Sequence, residues 1–273
     1  METWRLIEEG RREGHWNMAT DRAILAACGE GKAPPTLRLY GWERPTLTVG
    51  YSQNPFRDVD QDRCRLLGIP VICRPTGGRA LLHDRELTYS LVAPIPHPRF
   101  PSGLRESCRV VSEAILASLK QLGIWNAVMA GGRHASPSSQ PIRSPACFSS
   151  LNHYEIAVDH KKLVGSAQRR NRRSFLQHGS LLIDCDRERM NSLFLFQGDP
   201  HRGKSLEVLK RRVTTLHELC GEEAGFEEAA RAFRIGFQEA FPANWETGSL
   251  TSYESKLRDQ YLKQGNSSKG WPP

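Results

Sequence analysis

"YEIAVDHKKLVGSAQRRNRRSFLQHGSLLIDC", residues 154–185, holds three β-type segments in succession. They are YEIAVD (154–159), KLVGSAQRR (162–170) and FLQHGSLLIDC (175–185), separated by polar turns at Asp159-His160-Lys161 and at Arg170 to Ser174. Connections this short join antiparallel strands, because parallel ones need a long crossover. The stretch therefore predicts an antiparallel meander. Gly165 and Ala167 are small and leave room on one face of the middle strand.

Working toward the N-terminus, residues 130–146 (AGGRHASPSSQPIRSPA) are glycine, serine and proline and predict a long loop inside the domain, a type that often carries function. Val128 and Met129 close a short strand. Leu104 to Leu122 predicts the clearest helix, with Cys108, Val111, Ile115, Leu119 and Leu122 on one face. RALLH (79–83), LTYSLVA (87–93) and VICRP (71–75) read as strands. Asp58 opens a helix through Leu67. TLRLYGW (36–42) and TLTVGY (46–51) read as strands around a Glu43-Arg44-Pro45 turn, and Asn17 caps a helix from Met18 to Cys28. Toward the C-terminus, helices are expected at 187–196, 204–220, 222–240 and near 249–263, before a loose GNSSKGWPP tail. Strands and helices mix without regular βαβ alternation. The fold class is α+β, a mixed but mainly antiparallel sheet flanked by helices. Residues 1–248 are expected to form one main domain, with its core at about 33–245, and 249–273 a C-terminal helix and tail.

The 273 residues are 25% charged and 38% hydrophobic, an ordinary soluble composition. No apolar run is long enough to span a bilayer, and METWRLIEEGRREG has no signal-peptide core, so a cytoplasmic location with no membrane partner is expected. Seven widely spaced cysteines, with no CxxC pair, argue against a disulfide framework or a zinc knuckle. No HExxH or His-x-His pair suggests a metal. The net charge of +8 collects in RRNRR (169–173), KRR (210–212) and around Arg63 to Arg85. A basic balance fits nucleic acid or an acidic protein partner. No zinc finger, RNP1-like motif or KH-type loop is present to favour nucleic acid.

Two stretches could carry chemistry. RPTGGRALLHD (74–84) places two glycines between strands, which suits a plain hairpin turn. The flanking Arg74, Arg79, His83 and Asp84 also suit a loop that holds a carbonyl or phosphate. It is neither a P-loop nor GxGxxG. His83, His153 and His178 are each compatible with a satisfied structural histidine or with a site. Cys147 follows Pro145-Ala146 at the end of the long loop. It is either one more structural thiol or a nucleophile, and a nucleophilic cysteine needs a cation or base nearby. Lys162 is either that cation or a surface residue of the 159–161 turn, with Lys161 on the opposite face.

Taken together, WRLIEEGRREGHWNMATDRAIL, PTLTVGYSQN, RPTGGRALLHDRELTYS, PACFSSLNHYEI, KKLVGSAQRR and LQHGSLLI resemble, in order and spacing, the biotin/lipoate protein ligase and octanoyltransferase superfamily. Within it the likeness is to octanoyltransferases of the LipM type, and it covers Trp4 to about Trp245. The resemblance implies a sheet wrapped around an elongated acyl pocket. It implies Cys147 as nucleophile and Lys162 as the assisting lysine. It implies substrate binding by Arg74, Thr76, Gly77, Gly78, Arg79, His83, Gly165, Ser166, Ala167, His178 and Gly179. Octanoyl-acyl carrier protein would be the donor and a lipoyl-type carrier, such as glycine cleavage H protein, the acceptor. No cofactor is required, since a thioester is already activated. Lipoate-protein ligases of the superfamily normally lack the cysteine and carry a further C-terminal domain, for which this chain is expected to have no room. An ATP-dependent ligase, an amidotransferase between lipoyl domains and a non-catalytic protein that binds acyl carriers or nucleic acid through its basic face are the competing readings.

Overall fold

The computed structural model describes residues 1–130, 154–196 and 199–264. Strands β8 (Ile156–Val158), β9 (Lys161–Arg170) and β10 (Ser174–Leu182) run antiparallel in the expected meander. The β8–β9 turn places Asp159 and His160 at φ +47° and +64°, the left-handed pair that a two-residue hairpin turn requires. β10 pairs with β6 (Glu86–Pro94), β6 with β2 (Thr36–Trp42), and β2 with β1 (Thr3–Arg12). β11 (Asn244–Thr247) and β7 (Val128–Met129) form the edges of this eight-stranded sheet. β1 pairs in parallel with both β2 and β11, and the remaining ladders are antiparallel. A second sheet has β3 (Thr46–Val49) between β4 (Val71–Cys73) and β5 (Leu81–His83).

Strand alternation decides which face of the large sheet does what. Leu37 and Leu39, Leu87, Tyr89 and Leu91, and Phe175 and Leu181 all face α4 (Leu104–Gln121) and α8 (Phe226–Ala240), in one cluster with Val111, Ile115, Leu119, Phe233 and Phe237. Phe233 and Phe237 are fully buried, and each contributes about 1.5–3 kcal/mol by leaving water. The alternate positions, Arg38 and Tyr40, Thr88 and Ser90, and His178 and Ser180, are polar yet buried. α1 (Gly14–Gly29) covers that face, with α9 (Ser252–Gln264) against it, and Glu254 of α9 is buried in an ion pair with Arg5. No helix of the described residues is long and apolar enough to cross a membrane.

Several elements differ from expectation for local reasons. α1 begins at Gly14, not after an Asn17 cap. Asn17 is buried inside the helix, donating to the carbonyls of Arg12 and Gly41 and accepting from Arg38 at 2.7 Å, so its side chain binds the helix to β2. The 58–67 helix is two helices, α2 (Pro55–Asp58) and α3 (Gln61–Leu66), capped by Asn54 and Asp60. Extended Val59 separates them because its side chain is buried in the core beneath the small sheet. The 187–196 helix is shorter, α5 (Arg187–Ser192). The 204–220 helix is α6 (Asp199–Arg212) and α7 (Leu216–Cys220), broken where Val213 bridges Lys162 and Thr214 donates to the Lys162 carbonyl. TLRLYGW and TLTVGY part into different sheets. β1 buries Trp4, Leu6 and Ile7 but runs on through an exposed, charged second half, and β11 is mostly exposed, so neither is read as a strand from its sequence.

Candidate active site

The buried polar face of the large sheet, α1 and the small sheet line a cavity of about 230 Å³. Tyr40 and Trp42, Thr88, His178 and Ser180, and Gly165 and Ala167 form its floor. Met18 of α1 closes one side. Arg74, Gly78, Arg79, Leu81 and His83 cover it.

Arg74 shapes that cover. Its guanidinium donates to the carbonyls of Gly77 (2.8 Å), Arg79 (2.8 Å) and Thr48 (3.3 Å) and to the Thr48 hydroxyl (3.1 Å). The turn it gathers has Gly78 at φ +99° and lies so close to Gly50 that a Cβ there would meet the Gly78 carbonyl oxygen at 2.0 Å. Glycine is required at both positions, one for its conformation and one for the approach.

Two carboxylate–histidine–threonine chains bind the cover to the floor. Asp21 accepts from Arg38 (2.8 Å) and from the Tyr40 hydroxyl (3.0 Å), and its Oδ2 lies 3.1 Å from His178 Nδ1. His178 Nε2 lies 2.7 Å from Thr76 Oγ1, inside the glycine turn. Burial alone would raise the Asp21 carboxyl, but the hydrogen bond from His178 and the charge of Arg38 outweigh it and hold it below the usual range. The ionised carboxylate fixes the proton on His178 Nδ1, so Nε2 accepts from Thr76. In the second chain Glu86 Oε1 accepts from Ser180 and Thr88 (both 2.6 Å) and lies 2.8 Å from His83 Nδ1, while His83 Nε2 lies 2.8 Å from the Thr48 hydroxyl. The His83 ring stacks on Trp42 with centroids 4.1 Å apart.

Burial holds the His178 imidazole below its ordinary range, against the pull of Asp21. Unfolding lets it take a proton near pH ~6.5, so its stabilising contribution is full above about that pH and is lost as pH falls toward the depressed folded value. Asp21 adds a lower window, with stability present above about pH 3.9 and lost as pH falls through its lowered folded value. Urea midpoints of the wild type should therefore fall more steeply than those of His178→Gln between about pH 6.5 and about pH 5. Parallel profiles would contradict this assignment.

At the start of β9, Lys162 is fully buried and its Nζ donates to Glu155 Oε1 at 2.6 Å. This excludes the surface-turn reading of Lys162. Lys161 is partly exposed. Glu155 lines the cavity and Lys162 lies behind it. Ser166, Gly179 and Tyr89 are register neighbours in the sheet, and the Tyr89 hydroxyl reaches Ser166 Oγ (2.7 Å) across Gly179. A Cβ on Gly179 would meet the Gly165 carbonyl oxygen at 2.4 Å and Tyr89 at 2.7 Å.

Of the residues expected from sequence, Arg74, Gly78, Arg79, His83, Gly165, Ser166, Ala167, His178 and Gly179 line the cavity. Thr76 and Gly77 stand behind it as hydrogen-bond partners of His178 and Arg74. Cys147, His153 and the loop up to residue 146, apart from Ala130, lie outside the described residues, as does the tail 265–273. Met18, Tyr40, Trp42, Thr88, Glu155 and Ser180 escaped the sequence reading. For Thr88 and Ser180 the signal is the alternation itself, which sets Thr88, Ser90, His178 and Ser180 on one face of strands buried on both sides. The six described cysteines all have thiols pushed up by burial, to about 12 for Cys28 and Cys185 and about 11 for Cys64 and Cys108.

Three comparisons bear on this site. The family model described as the lipoyl protein ligase A/B catalytic domain matches residues 13–238. The octanoyltransferase LipM of Kyrpidia tusciae is 41% identical over 268 residues, covering 96% of each chain, and that of Symbiobacterium thermophilum is 40% identical over 258 residues, covering 94% of this chain and 93% of its own. A bi-partite lipoate protein ligase from Thermoplasma acidophilum shares the fold, with a TM-score of 0.79 at 22% identity over 97% of this chain and 93% of that one.

Proposed function

The chain belongs to the lipoyl protein ligase A/B catalytic-domain family, and from that premise we propose that it is an octanoyltransferase in protein lipoylation. It moves an octanoyl group from octanoyl-acyl carrier protein to the acceptor lysine of a lipoyl-type carrier such as glycine cleavage H protein. The observation that carries this reading is the cavity over Gly165 and Ala167, flanked by the buried Lys162–Glu155 pair. Small side chains on the floor leave a slot for an alkyl chain, and charge is concentrated at the end where β9 begins.

The reaction runs in two steps. The Cys147 thiol attacks the thioester carbonyl, the carrier thiol leaves with the proton, and the octanoyl group becomes a thioester of Cys147. The acceptor lysine amine, deprotonated, then attacks that thioester, forms the amide and returns the proton to the Cys147 sulfur. The first step exchanges one thioester for another and is nearly balanced; the second is driven by the stable amide. Backbone N–H groups of the glycine turn or Gly165 stabilise the oxyanion. Lys162, held by Glu155, supplies the positive charge that favours the thiolate. The upward-shifted thiols elsewhere in the fold support assigning the nucleophile to the seventh cysteine.

The test supplies apo lipoyl-domain acceptor with either octanoyl-carrier protein alone or free octanoate plus ATP. Transfer from the carrier without nucleotide is expected. Transfer only from free octanoate with ATP would instead make the protein a ligase.

A further inference from the structure

The β9–β10 hairpin carries four arginines in the five residues Arg169-Arg170-Asn171-Arg172-Arg173. Its turn is rigid. Asn171 Oδ1 accepts from the N–H groups of Arg173 and Ser174 at 2.8 Å each, and the Arg173 carbonyl accepts from Ile95 N–H at 2.7 Å. Arg172 and Arg173 are exposed at the tip. Arg170 lies against neutral groups, the Ser107 hydroxyl at 2.7 Å and the Phe175 ring. Among the described residues, no carboxylate forms an ion pair with Arg170, Arg172 or Arg173. Some exposed arginines elsewhere are locally neutralised, as Arg44 is by Glu13, Arg65 by Asp62 and Arg85 by Asp184. The acid that feels Arg173, Glu30, is already bonded to Lys32 and Tyr253 at 2.7 Å each. A fixed tip of uncompensated positive charge is a feature that an acidic partner would neutralise.

The hairpin is also the cavity wall continued outward. Gly165 and Ala167 line the cavity, and Arg169 is the next residue on their face of β9. Its Nη1 donates at 3.1 Å to the Pro75 carbonyl, in the glycine turn over the cavity. From Ala167 to the tip at Asn171 is four residues, or about 13 Å at ~3.3 Å per residue. A group anchored at the tip must therefore span that distance to react inside. The four-carbon stem of an acceptor lysine is too short. An acyl chain on an extended, flexible prosthetic arm is not.

We propose that the 169–173 hairpin is the docking surface for the acidic carrier protein that delivers the acyl chain. This rests on the acyltransfer reading above. The acceptor domain docks elsewhere, within a lysine's reach of the cavity.

The test compares wild type with Arg172→Glu/Arg173→Glu, and with the milder Arg172→Ala/Arg173→Ala, in the two half-reactions. Acylation is followed with octanoyl-carrier protein and with octanoyl-pantetheine, which lacks the protein. Deacylation is followed with the lipoyl-domain acceptor. Charge reversal should raise the apparent KM for the carrier-borne donor by about tenfold or more, and the alanine pair by less, with the difference shrinking as salt is raised. KM values for octanoyl-pantetheine and for the acceptor should stay unchanged. An unchanged carrier KM, an equal loss with octanoyl-pantetheine, or an effect confined to the acceptor would each overturn the proposal. So would loss of binding to duplex nucleic acid with carrier kinetics intact. A wild-type enzyme inert toward both donors would retire the acyltransfer reading itself.

Discussion

Replacing Cys147 with alanine should lower octanoyl transfer to the acceptor by about 10⁴-fold or more, the scale of losing a covalent nucleophile. Without the thiol the acceptor amine must attack the carrier thioester directly, and the first half-reaction has no counterpart. Elsewhere among the described residues the fold holds its thiols protonated. Burial pushes Cys28 and Cys185 to about 12, where essentially no thiolate exists at neutral pH. A free thiol titrates near ~8.5, so even an exposed cysteine is only a few per cent thiolate. A nucleophile on this scaffold therefore needs a cation brought to it, and the buried lysine of the cavity's flank is Lys162. The check is the steady-state rate of amide formation on the acceptor, with the thermal midpoint of the variant measured alongside. A rate within tenfold of wild type, with folding intact, would remove Cys147 from the reaction.

Lys162→Met should cost about 3–5 kcal/mol of stability, because it strips a cation from a carboxylate already out of water. The two side chains are 0% and 3% exposed and 2.6 Å apart, so solvent cannot take over the missing partner's role. Adding Glu155→Gln should restore a large part of the loss, since it removes the charge that was left behind. Lys161→Ala, at the neighbouring partly exposed position, should do little. Urea unfolding of the two single variants and the double supplies the comparison, and a Lys162→Met cost below about 1 kcal/mol would mean that the pair is not buried as described. The catalytic half is read separately. In Lys162→Met the alkylation pKa of Cys147 should rise by about a unit or more, the effect of one close charge. Recovered stability in the double variant with the thiol pKa still raised would separate the two roles of Lys162.

The order of elements around residues 154–185 is legible in sequence because turn chemistry and apolar alternation agree there. The Leu104 helix is legible for the same reason, as its apolar face repeats at three and four. α1 is harder to place. Its buried face includes Asn17, Thr20, Asp21 and Arg22, which look like solvent-facing residues or caps until β2 and β10 supply their partners. β1 and β11 are fixed by long-range pairing, and their own residues barely favour a strand. The cavity is partly legible, since the glycines and the small residues of β9 mark where a backbone or ligand must come close. What sequence leaves out is the pairing. Nothing in the spacing shows that Asp21 serves His178, that Glu86 serves His83, or that Glu155 rather than solvent meets Lys162.

A covalent octanoyl-enzyme should form without nucleotide. Intact mass spectrometry of the purified protein, mixed with octanoyl-carrier protein in the absence of ATP and of acceptor, tests it most directly. The expected result is a single added octanoyl group that hydroxylamine removes, that is discharged when apo lipoyl-domain acceptor is added, and that never forms on Cys147→Ala. An adduct that persists in Cys147→Ala, or one that appears only with ATP and free octanoate, would contradict it.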